Sequence, residues 1–189
     1  MENKRNLILK VAEKIISDKG YSKTTIEEIT KKAKIAKGTF YLYFKNKEEL
    51  FNSIIKEGLD NLVIEIKKEV ENIEDPFEKI KKGIEMYLSY HEKNYSLFKI
   101  LIQEKPFLKR KNFINFWEEF FKKWDFIKKG FDEEIKKGNI KNLDSEDIIY
   151  SLLGILHGNI HRWILNKRKY SLVKKKDVIY EIFVNGIRR

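Results

Sequence analysis

Proline ends helices, and this chain of 189 residues holds two, Pro76 and Pro106. A missing amide and a locked φ make proline a break in a helix interior. On either side of these points apolar residues recur at every third and fourth position, the period of one helical face. No convincing run alternates with the period of two that a half-buried strand requires. The pattern predicts an all-α protein of about nine helices.

The punctuation places them. A first helix is expected over 4–19, with Ile8, Val11, Ala12, Ile15 and Ile16 on one face and Gly20 as its left-handed terminator. Thr25-Ile26-Glu27-Glu28 reads as a capping box opening a short helix to about Lys32. A third short helix spans 37–43, and Asn46-Lys47-Glu48-Glu49 caps a long one running to about Glu71, roughly 37 Å. Asp75-Pro76 opens the next, expected to end near His91. Further helices are expected over 95–103, from Pro106 through an aromatic-rich stretch to Lys137, over 145–165 behind Asp144, and over 172–187.

Charge and cysteine content narrow the function. Without cysteine, thiol catalysis, CxxC redox chemistry, thiolate metal sites and a disulfide-built secreted fold all drop away, and a reducing cytoplasm is the expected location. Lysines and glutamate interrupt the N-terminal apolar residues, so no secretory signal forms, and no uncharged apolar stretch of about 18 residues occurs; no membrane association is expected. The formal charge is +11, of which +5 falls in the first 50 residues, the more basic part of the chain. Three histidines and no HExxH, nucleophile elbow or phosphate loop argue against an enzyme. No cofactor and no metal are expected; His157 and His161 are four apart but lack a fixed third ligand.

Three helices with a tight connection between the second and third make a helix-turn-helix, whose third helix enters the major groove. The run Thr25-Ile26-Glu27-Glu28-Ile29, continuing through Ala33-Lys34-Ile35-Ala36-Lys37-Gly38-Thr39-Phe40-Tyr41-Leu42-Tyr43-Phe44-Lys45-Asn46-Lys47-Glu48-Glu49-Leu50-Phe51, closely resembles the DNA-binding motif of the TetR (tetracycline repressor) family. The resemblance implies an N-terminal three-helix DNA-binding domain over 1–46 and a helical ligand-binding and dimerisation domain over 47–189. It also implies phosphate contacts from Thr25, Tyr41, Tyr43 and Lys47. Lys37, Gly38 and Thr39 are the expected base readers: a cation for guanine or phosphate, a bare backbone for close approach, and a hydroxyl with a methyl. Two departures stand out. Lys34 occupies the turn where the family usually carries glycine, and Ala36 stands where it commonly places a hydroxyl cap. Lys4 and Arg5 are candidates for a basic arm in the minor groove.

For the remaining helices the resemblance implies pairing of the last two across a two-fold axis, hence a homodimer on a palindromic operator in double-stranded DNA. The expected effector pocket draws on Tyr87, Tyr90, His91, Phe98, Phe113, Phe116, Trp117, Phe120, Phe121 and Trp124, which favours a bulky apolar or amphipathic small molecule. Aromatics at helical spacing also make ordinary core, so the two readings of these residues stand side by side. The expected function is a ligand-responsive transcriptional regulator, most simply a repressor. An architectural DNA-binding protein without effector control is the alternative.

Overall fold

The computed structural model describes residues 4–104 and 122–189, and these residues form nine α-helices and one 3-10 turn. The helices are α1 (Lys4–Lys19), α2 (Ile26–Lys32), α3 (Lys37–Tyr41), α4 (Lys47–Val70), α5 (Pro76–Lys93), α6 (Tyr95–Gln103), α7 (Asp125–Lys136), α8 (Ser145–Leu165) and α9 (Lys176–Ile187). The stretch expected to be helical at the C-terminal end begins as a 3-10 turn, Leu172–Lys175, before α9 takes over. The β content among the described residues is one isolated bridge, Ile140 to Arg188.

Packing divides the described chain into two compact units, 4–61 with 94–104, and 62–93 with 122–189. This division falls elsewhere than a boundary at 46, because the first half of α4 and all of α6 belong with the N-terminal helices. Helix α4 is continuous through residues of both units.

In the first unit α1 buries Ile8, Ala12, Ile15 and Ile16, and α6 packs on it. Gly20 takes φ +89° and closes α1, its amide on the Ile16 carbonyl at 2.8 Å. The Thr25 hydroxyl accepts from the Glu28 amide at 3.2 Å, the first half of the expected capping box. Arg5 forms a two-pronged pair with Glu57 of α4 and lies 5.3 Å from the Phe44 ring centroid. Its guanidinium is thus held by the fold and is not a loose arm. Phe40 and Phe44, fully buried, fasten α3 to this body, each worth about 2 kcal/mol of apolar transfer.

The second unit is centred on Phe131, Ile140, Ile148, Phe183, Val184 and Ile187. Asp75 and Asp144 cap α5 and α8 through their side-chain oxygens. Glu92 at the end of α5 accepts from the Ser171 hydroxyl at 3.1 Å and the Leu172 amide at 2.8 Å, so one carboxylate fixes the start of the 3-10 turn. Lys176 to Glu85 then ties α9 to α5 at 2.9 Å.

Candidate nucleic-acid interface and ligand cavity

The turn between α2 and α3 solves its geometry with lysine. Lys34 adopts φ +54°, with its amide on Lys31 O at 3.2 Å and the Ile35 amide on Thr30 O at 3.0 Å. These two bonds are a Schellman closure, which normally recruits glycine, and forcing a side chain into it costs about 1 kcal/mol. The strain is kept and the turn is not remodelled. Ala36 then starts α3 with no side-chain cap.

Beyond this turn Thr25, Lys37, Gly38, Tyr41 and Tyr43 are all exposed and Thr39 is partly so. Tyr41 keeps 49% and Tyr43 37% of its surface open, so neither ring is consumed by the core. A methyl added at Gly38 would meet nothing within 4 Å, leaving its backbone open to a close neighbour.

The two lysines expected to touch DNA are placed quite differently from each other. Lys37 is on the surface but already partnered: its ammonium pairs with Glu27 of α2, which raises the lysine pKa and lowers that of the carboxyl. Lys47 is drawn inward. Its ammonium donates to the Tyr21 and Thr24 carbonyls at 2.9 and 2.8 Å and lies 4.3 Å from the Tyr21 ring centroid. Burial lowers its pKa. In this fold Lys47 is a strut under the loop before α2. No sequence signal exposed that role, because its acceptors are backbone atoms more than 20 residues away.

The second unit contains a cavity of about 580 Å³. Its apolar walls include Ile66 and Val70 from α4, Ile80 and Ile84 from α5, Ile127 from α7, and Leu152 and Leu156 from α8, and four lysines and four glutamates, Lys67, Lys79, Lys129, Lys137, Glu71, Glu74, Glu133 and Glu134, also line it. Of the aromatics expected there, Tyr87 and Trp124 line it, their rings 6.2 Å apart. Tyr90 and His91 are buried in the same unit but do not line the cavity, and Phe98 is buried in the first unit. The period of a helix tells which face is buried but not against which body. Phe113, Phe116, Trp117, Phe120 and Phe121 lie outside the described residues.

One wall residue, Tyr87, is tied to a histidine outside the lining. The Tyr87 hydroxyl shares a 2.8 Å hydrogen bond with His157 Nε2, and burial raises the phenol pKa while lowering that of His157. His91 stacks on Tyr87 at 4.4 Å, its Nδ1 2.8 Å from the Tyr87 carbonyl. That carbonyl can only accept, so Nδ1 carries a proton. Burial takes the His91 pKa down to about 3. Among the described residues no group of three His, Cys, Asp or Glu side chains is arranged to hold a metal ion, and no helix is long and apolar enough to cross a membrane.

Residues 8–54 match bacterial regulatory proteins of the tetR family, and residues 55–186 match the C-terminal region of YsiA-like proteins. The chain belongs to the TetR family. Like other TetR-family members it is a DNA-binding transcriptional regulator with a helical C-terminal domain. It is similar to the fatty acid metabolism regulator protein of Bacillus subtilis (strain 168), 28% identical over 189 residues that cover 95% of this chain and 93% of that protein. Its fold matches the transcriptional regulator FadR from Bacillus subtilis, solved in complex with stearoyl-CoA, with a TM-score of 0.84, 26% identity, and 97% and 99% of the two chains covered. The fatty acid degradation regulator FadR from Bacillus halodurans shares the same fold with a TM-score of 0.86 at 24% identity over 98% and 97% of the chains.

Proposed function

We propose that this TetR-family chain is a homodimeric cytoplasmic repressor, bound to an approximately palindromic operator and released by a long-chain acyl thioester of coenzyme A. The observation that carries the effector class is the cavity walled by Ile66, Val70, Ile80, Ile84, Leu152 and Leu156. Aliphatic stretches of wall beside lysine and glutamate side chains suit an unbranched chain with a charged, polar end. The stearoyl-CoA complex of the Bacillus subtilis relative supports the same class.

Helix α4 offers the route from cavity to DNA. Ile66 and Val70 near its C-terminal end form cavity wall, while Leu50, Phe51, Ile54 and Ile55 near its start are buried anchors. A ligand that displaces the wall acts on a helix rooted at its other end beside the reading head. In this reading residues 1–46 read DNA and 47–189 sense and dimerise. Gly38 and Thr39 face base edges, Thr25, Tyr41 and Tyr43 face phosphates, and Lys37 reaches DNA by leaving Glu27.

Support for the dimer comes from an exposed stripe along α8 and α9. It carries Tyr150, Leu165, Val178 and Ile182, interleaved with Gly154, Gly158 and Gly186, where an added methyl would meet nothing. Small residues with open space around them suit a second copy approaching closely. Two recognition helices would then stand about 34 Å apart on an inverted repeat.

The test is operator affinity with no ligand, with free coenzyme A and with stearoyl-CoA, on a sequence selected from random duplex DNA. A drop of about 5- to 150-fold with stearoyl-CoA alone is expected. Equal affinity in all three overturns the effector reading, and uniform protection of DNA without a defined site returns the architectural alternative.

A further inference from the structure

We infer that Leu42 reads the 5-methyl group of a thymine in the operator, and that it, with Lys37 set to one side, stands at the centre of the surface α3 offers to DNA. The inference rests on α3 being the helix that enters the major groove. Leu42 is 80% exposed, more than any other large apolar residue among those described. The backbone around it is helical: its amide reaches the Gly38 carbonyl at 3.3 Å, and the Tyr43 and Phe44 amides reach that of Phe40 at 3.0 and 3.1 Å. At about 100° per residue, Leu42 therefore points about 160° away from both Phe40 and Phe44, the two buried anchors. It faces outward along the line that runs from the core through the helix.

Gly38 lies one turn earlier on the same face with open space beside it, so nothing shields Leu42 from an approaching groove. Lys37 behaves otherwise. Its position lies only about 60° from Phe40 and about 20° from Phe44, and its ammonium leans back onto Glu27. By the same count it lies about 140° from Leu42, outside the face that Leu42 and Gly38 share.

Chemistry then selects the target. The edges that base pairs present in the major groove are hydrogen-bonding groups with one apolar exception, the thymine methyl. An isobutyl group can gain nothing from a phosphate or an amino group, but it can exclude water from a methyl. The positive first 50 residues bring the helix to the polyanion without base preference, and Leu42 adds preference where the lysines do not.

Replacing each operator thymine by deoxyuridine, one symmetric pair at a time, removes that methyl and leaves base pairing intact. For the unaltered protein, binding should weaken about fourfold per half-site at one position, the worth of a single buried methyl. Leu42→Ala should bind the natural operator more weakly and lose the difference between thymine and deoxyuridine there, with its helical circular dichroism unchanged. Indifference of the unaltered protein to deoxyuridine at every position, or an unaltered penalty in Leu42→Ala, overturns the inference and leaves groove entry by α3 standing. If methylation of guanine N7 across the selected site does not interfere with binding, α3 is outside the major groove and both fall.

Discussion

At the scale of single residues, the reading head carries a conformational cost at an identifiable place. Lys34 holds φ +54° inside a Schellman closure, so Lys34→Gly should raise stability by about 1 kcal/mol in thermal melts. Lys34→Ala, which removes the charge and keeps the Cβ, should not. Gain in both variants would mean that charge, not φ, is the cause. His91 makes a second claim. Its pKa falls from an ordinary 6.5 to about 3 in the fold, so between those values the unfolded chain binds the extra proton. Its contribution is full above about pH 6.5 and is lost as pH falls toward 3, at up to about 1.4 kcal/mol per pH unit. The acid limb of the stability curve should be shallower in His91→Gln, and parallel curves would show that His91 is not buried neutral. Residue identity made the Lys34 conflict legible in advance. The partners of Lys37 and Lys47 were not, since an ammonium carries no mark of whether a carboxylate, a carbonyl or a phosphate will take it.

At the scale of elements, boundaries were the most readable feature, because caps are local chemistry. The expected 4–19, 95–103 and 145–165 helices appear as α1, α6 and α8 with the same ends. The second, fourth and fifth agree within a residue or two. The expected 37–43 helix stops two residues early at Tyr41, and the expected 172–187 helix starts as a 3-10 turn under the grip of Glu92. That grip comes from a carboxylate some 80 residues back, beyond any local pattern. The aliphatic part of the cavity wall was not legible for a related reason: side chains in α4, α5 and α8 have the same periodicity whether they meet a neighbour or enclose space. Packing between α4 and α6 supplies a sharp check. A methyl at Gly58 would overlap the Leu97 side chain, so Gly58→Ala should cost about 1–3 kcal/mol despite its better helix propensity. A Gly58→Ala protein that melts higher than the parent would show that this contact yields easily.

At the scale of the whole molecule, the compact units and the sequence boundary at 46 divide the chain differently, because α6 returns to pack on α1 and takes the first half of α4 with it. Contacts between residues near 10 and near 100 leave no trace in a helical period. What the chain as a whole shows most plainly is the open glycine stripe on α8 and α9. Glycine within a helix weakens it by about 1 kcal/mol per residue, and with no neighbour above Gly154 and Gly158 a solitary subunit bears that deficit alone. In the proposed dimer a second copy seated on this stripe would offset it, which links folding to abundance. Melting temperature should therefore climb with protein concentration, and a flat profile over a hundredfold dilution would argue for a self-sufficient monomer. In the dimer reading, dilution would uncover the stripe, so scarcity itself would weaken the regulator's hold on its operator before any effector arrived.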